Sequence, residues 1–143
     1  MNVLTRSVRI GLRASSAVGA LLLGIGIAFA ASETVTLSGN EEVPPVSTSA
    51  SGNGTIKVNS DKTVSGSVMT KGIAATAAHI HEGEAGKNGP VVIPLKKASE
   101  DKWAVPDGAK LSDAQYDSYK AGKLYVNVHS AAHKDGEIRA QLK

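Results

Sequence analysis

From Glu33 onward, apolar side chains recur at every second position. "ETVTLSG" sets Val35 and Leu37 between polar neighbours, "GTIKVNS" does the same with Ile56 and Val58, and "TVSGSVMT" carries the pattern past a turn at Asp61-Lys62. Successive side chains of an extended chain point to opposite faces, so a period of two predicts strands with one face turned to a core. The second and third of these strands form a hairpin. "TAAHIHEG", "PVVIPLKK", "DKWAVP", "LYVNVHS" and "GEIRAQLK" are five further strand candidates, and Gly, Pro, Asn and Asp punctuate them at short intervals. The fold expected is all-β, a Greek-key sandwich or barrel of about seven to eight strands. One segment breaks the period. "LSDAQYDSYKAGK" has Ser112 in N-cap position, Leu111, Gln115 and Tyr119 at spacing four, and a stop at Gly122, which predicts one short helix between two strands. "PPVSTSASGNG" is rich enough in Pro, Ser and Gly to read as a connection.

Ahead of this pattern, residues 1–30 have the organisation of an export signal. Arg6, Arg9 and Arg13 occur without an acid, "AVGALLLGIGIAFA" is an apolar run, and Ala28-Phe29-Ala30 supplies small residues for cleavage before Ala31. The apolar run is short of the roughly 20 residues a membrane span requires, although an uncleaved segment would act as an anchor. Residues 31–143 are then the mature chain, a single β domain located in the periplasm or secreted, and not embedded in a membrane.

Removing the signal changes the charge balance. Taking Arg6, Arg9 and Arg13 from 16 Lys and Arg leaves 13 against 13 Asp and Glu. With charges balanced and interspersed there is no basic stripe, and nucleic acid is not an expected partner. The chain has no cysteine, which excludes thiol nucleophiles, thiolate zinc sites and blue-copper sites, and leaves stability to the core, a metal or an oligomer interface.

The candidate chemistry lies in four histidines confined to two segments. "HIHEGEAGKNGPVV" contains His79 and His81, and "YVNVHSAAHKDGEIRAQL" contains His129 and His133. On a strand, His79 and His81 project to one face with Cα atoms roughly 6.5–7 Å apart, while Ile80 turns to the core. The same phase turns Leu124, Val126 and Val128 inward and Tyr125, Asn127 and His129 to the polar side. Were these two strands neighbours, His79, His81 and His129 would converge outside the core, with His133, beyond a bend at Ser130-Ala132, as a fourth ligand. Glu82, Glu84 and Glu137 read as solvated. Neutral imidazoles suit copper or zinc and disfavour Ca(II) and Mg(II); copper is preferred for its higher intrinsic affinity, with zinc as the alternative. Proton competition is expected to weaken such a site below roughly pH 6 and nearly abolish it by about pH 5.

Three blocks, "LSGNEEVPPVSTSASG", "AAHIHEGEAGKNGPVV" and "LYVNVHSAAHKDGEIRAQL", resemble in order and spacing the CHRD domain, a module first described in chordin and found in exported bacterial proteins. The resemblance spans about residues 33–143 and implies an immunoglobulin-like or Greek-key all-β fold. His129, Gly136, Glu137, Ile138 and Arg139 match its last block; His133 and Ala140 depart from it. A looser likeness, to copper-zinc superoxide dismutase, rests on the H-x-H followed by a Gly-rich loop. It lacks that family's disulfide cysteines, and four histidines cannot fill both of its metal sites, so it implies at most a copper-only enzyme with Arg139 as an anion guide. Arg139 otherwise reads as a strand-surface residue.

No G-x-S-x-G, H-E-x-x-H, P-loop or dinucleotide fingerprint occurs. The reading preferred is an exported copper-binding protein that uses the histidine cluster and carries none of these catalytic motifs. The alternatives are a non-enzymatic interaction module with a protein partner and no metal, and a dismutase-like copper enzyme.

Overall fold

The computed structural model of the protein describes residues 31–143; the export segment expected at 1–30 lies outside the described residues. Alternation becomes strands wherever it was read: β1 Ala31–Ser38, β2 Ser51–Val58, β3 Val64–Lys71, β4 Ala75–Glu82, β5 Val91–Pro94, β6 Lys96–Ser99, β7 Lys102–Ala104, β8 Leu124–Ser130 and β9 Ile138–Leu142. The strands number nine rather than seven or eight because "PVVIPLKK" is two strands, not one. Pro94 ends β5 and, after Leu95, β6 begins at Lys96. A proline has no N–H to donate to a ladder, so it closes a strand instead of continuing it.

That break sets the architecture. The strands form one antiparallel sheet in the order β5-β4-β8-β9-β1-β2-β3-β7-β6. β5 and β6 are therefore the two outermost strands, yet one residue joins them, so the sheet must curl until its ends meet in a nearly closed barrel. Leu95, the joining residue, is buried and donates its N–H to the Ala78 carbonyl of β4 at 2.9 Å. Leu37, Ile56, Val68, Ile80, Leu124, Val126, Val128, Ile138 and Leu142 fill the interior, each essentially inaccessible to solvent. These are the inward members of the alternating pairs.

The hairpin between β2 and β3 is present in full register from Ser51↔Lys71 to Val58↔Val64, and Lys62 takes the left-handed conformation its turn needs. The one helix, α1 Asp113–Lys120, opens with the reciprocal cap expected of Ser112 and Gln115 and is followed by Gly122 at φ +70°. Among the described residues, no helix is long and apolar enough to cross a membrane.

For the histidines, the decisive pairing is β4 with β8. It sets His81 opposite Tyr125 and His79 opposite Asn127, and β8 with β9 sets Asn127 opposite Arg139. In β8 the expected division into an inner and a solvated face does not hold, because all seven residues are buried. Loops 83–90 and 131–137 fold over its outer face. Gly89 N–H donates to Tyr125 Oη at 3.1 Å from one loop, and the carbonyl of Lys134 accepts from His129 Nδ1 at 2.8 Å from the other.

Candidate metal centre

His79, His81 and His129 come together as the strand phase predicts. Their ligating nitrogens can be chosen to lie within 4.8 Å of one another, and among the described residues this is the one cluster of His, Asp and Glu with that property. The ring centroids are 5.4 Å apart for His79 and His81, 4.8 Å for His79 and His129, and 6.1 Å for His81 and His129. His81 and His129 are buried, and His79 is half-buried at the rim.

Backbone carbonyls fix the tautomers. His81 Nδ1 lies 2.9 Å from the Gly89 carbonyl oxygen, and His129 Nδ1 lies 2.8 Å from that of Lys134. A carbonyl can only accept, so each Nδ1 carries the proton and each Nε2 is left with its lone pair. His79 Nδ1 then donates to His129 Nε2 at 2.9 Å, the contact a shared cation would replace. His81 Nε2 is buried with no hydrogen-bond partner. Holding the far nitrogen of a ring on a carbonyl is how proteins orient imidazoles toward a metal. Residue 89 must be glycine for this: a Cβ there would sit 1.7 Å from the Glu82 carbonyl oxygen and push the loop off His81.

Burial is the main reason the pKa values of His79 and His81 lie below the ordinary range, with the neighbouring rings adding to it; for His81 the Gly89 carbonyl opposes the shift. Both rings are therefore neutral, and able to ligate, at neutral pH.

His133 lies outside the three-ring cluster. Its main chain shapes the loop that holds His129, with its N–H donating to Ser130 Oγ and its carbonyl accepting from Ser130 N and Gly136 N. The residue helps line a separate cavity of about 220 Å³ with Glu42, Val43, Pro44 and Val46.

Four residues read from the sequence as surface groups are buried instead. Tyr125 and Asn127 lie under the loops, Glu137 accepts a hydrogen bond from Thr48 Oγ1 at 2.7 Å, and Arg139 is 1% exposed rather than on a strand surface. Glu42, in the turn after β1, joins them. It is 4% exposed with Oε1 unpartnered, and its carboxyl packs so closely on Gly136 that a Cβ there would meet Glu42 Oε1 at 2.5 Å. Gly136 is at φ +129°, which also excludes a side chain. No periodicity marked Glu42, because it stands in a turn rather than a strand.

Burial pushes the Glu42 carboxyl up to about 7 against an ordinary 4.5, partly opposed by Arg139 and Asn127. The folded state thus holds a proton that the unfolded chain has lost, and stability falls as pH rises from 4.5 through about 7. Glu42→Gln, which cannot ionise, is expected to gain on the order of 2 kcal/mol over the parent at pH 8 and nothing at pH 4. Urea unfolding at the two pH values checks this; an equal difference at both would contradict it.

The family model of the CHRD domain matches residues 34–142. The chain belongs to the CHRD family. No curated protein and no solved structure matches it. The match reaches every strand of the barrel, beginning within β1, so all four histidines, both covering loops and Arg139 lie within the CHRD domain itself.

Proposed function

We propose that this CHRD protein is an exported metal-binding protein that holds copper on His79, His81 and His129. The observation that carries the reading is the pair of carbonyls, Gly89 and Lys134, that take the Nδ1 protons of two buried imidazoles and so turn their Nε2 lone pairs toward the cluster, that of His81 with no hydrogen-bond partner and that of His129 facing the third ring. Isolated surface histidines have no need of such support. Three neutral nitrogen ligands suit copper first and zinc second, and the cluster contains no carboxylate to favour a harder ion. His79, at the rim, is the side from which an ion enters and leaves. The role proposed is binding, buffering or transfer of copper outside the cytoplasm, which requires no nucleophile and base pair.

The test is the metal content of protein purified from the periplasm of a copper-replete culture without chelators. About one copper per chain is expected, lost in His81→Ala. Zinc in its place would change the metal and keep the site. Protein that carries neither metal, and takes up neither on dialysis, would refute the reading in favour of a metal-free interaction module.

A further inference from the structure

The histidine cluster continues into a stack that crosses three strands. His81 on β4 and Tyr125 on β8 have rings parallel to within 4° and centroids 4.9 Å apart. Beyond Tyr125, the guanidinium carbon of Arg139 on β9 lies 3.4 Å from the tyrosine ring centroid. Strand order places Tyr125 between the other two.

Arg139 is a buried charge held by neutral groups. Nη1 donates to Asn88 Oδ1 at 3.3 Å, and Nη2 donates to the Glu84 carbonyl at 3.2 Å and to Gln141 Oε1 at 3.1 Å. Among the described residues, no carboxylate oxygen lies within ion-pair distance of it. The carboxyls that act on it, Glu42 and Glu41, do so from farther away, and Glu42 ionises only partly at neutral pH. The tyrosine face offsets some of the cost of burial, since its π-cloud attracts a cation. The charge itself is permanent, because arginine does not deprotonate in proteins.

We propose that this unpaired guanidinium tunes the His79–His81–His129 site toward a monovalent ion, Cu(I), and against Cu(II) and Zn(II). The inference rests on the reading of the three histidines as a metal site. The ligand set is neutral, so the repulsion from Arg139 scales with the charge of the ion alone. The two stacking distances put the guanidinium on the order of 10 Å from an ion on His81 Nε2, and at an effective dielectric near 20 each unit of ion charge then costs more than tenfold in affinity. A divalent ion loses that factor twice. The coordination number agrees: three nitrogens complete a site for Cu(I), whereas Cu(II) favours tetragonal arrangements with more ligands.

The test compares the parent with Arg139→Gln and Arg139→Lys, using Ag(I) as a redox-inert monovalent probe, Zn(II) as the divalent one, and the Cu(II)/Cu(I) midpoint potential. Arg139→Gln is expected to strengthen Ag(I) binding about tenfold and Zn(II) binding about a hundredfold, and to lower the copper potential by about 59 mV, the equivalent of a tenfold change in a one-electron couple. Arg139→Lys, which keeps the charge, should stay close to the parent. A merely structural arginine would weaken both probes alike on removal. Equal changes for Ag(I) and Zn(II), or an unchanged potential, overturn the proposal while leaving the metal site standing. The parent needs no variant and decides the matter if Arg139→Gln does not fold: a copper potential at or below that of the aqueous couple overturns the proposal. Failure of the parent to bind any of the three metals overturns the metal site, and this inference with it.

Discussion

Alanine at His81 or His129 is expected to lower copper affinity at least a hundredfold, whereas alanine at His133 should change it by no more than a few-fold. A hundredfold loss corresponds to about 2.7 kcal/mol, a modest figure for a ligand that folding has already oriented. Each ring is buried, has its tautomer set by a carbonyl, and presents Nε2 without any further rotation. Its removal takes away a ligand and leaves a carbonyl without its donor. His79→Ala should cost somewhat less, about tenfold or more, because a half-buried ring at the rim is less preset and water can take its place. His133 serves the loop through its main chain, which alanine preserves. Competition against a chromophoric Cu(I) chelator measures all four variants, with near-ultraviolet circular dichroism to confirm folding. Equal losses across the four would make His133 a full ligand; no loss in any would remove the basis for a metal site.

The second large effect is on pH. Three ordinary imidazoles would begin to release their ion below roughly pH 6.5, but the pKa values of His79 and His81 are lowered by burial, which keeps these rings neutral further into the acid range. Affinity is therefore expected to stay level from pH 7.5 through about 6.5 and to fall only further into the acid range, where His79 and His81 take up protons. With these two ligands taking up protons, the limiting slope reaches about a hundredfold per pH unit. The onset thus lies below that expected from unperturbed histidines. The metal-free protein carries the same signature in its stability. Below about pH 6.5 the unfolded chain binds protons that the folded His79 and His81 resist, so stability is lost as pH falls through that range. Copper titrations at half-unit intervals from pH 7.5 to 4.5 would show both the onset and the slope. Affinity unchanged down to pH 4.5 would assign the ligands to carboxylates instead.

Both results depend on how much of the site is local. The pairing of His79 with His81 on one face is a property of any extended strand, and so is the inward turn of Ile80; the sequence "HIH" needs nothing else to produce them. The same holds for the Ser112 cap of α1 and for the turn at Asp61-Lys62, where a few adjacent residues carry all the information. Blocks of residues also sufficed to mark the CHRD family, since family likeness is itself a matter of order and spacing along the chain.

What the alternation could not reveal is which polar faces stay wet. Period-two patterning separates two sides of a strand, but it says only that one side is apolar, not what covers the other. In β8 the other side holds Tyr125, Asn127 and His129, and loops 83–90 and 131–137 close over it, converting an expected surface into a second buried layer. Arg139 and Glu42 enter that layer from β9 and from the turn after β1, far apart in sequence, and their burial arises from strand pairing and loop closure. The neighbourhood of β4 and β8, which brings His129 to His79 and His81, likewise depends on a crossover of more than forty residues that no local pattern encodes. Sequence alone thus determined the strands, the helix and the facing of His79, His81 and His129, because these follow from backbone geometry over a few residues. Only the tertiary structure decided which imidazoles meet, which carbonyls orient them and which charge lies behind them, because those are contacts between segments that the closing of the barrel brings together.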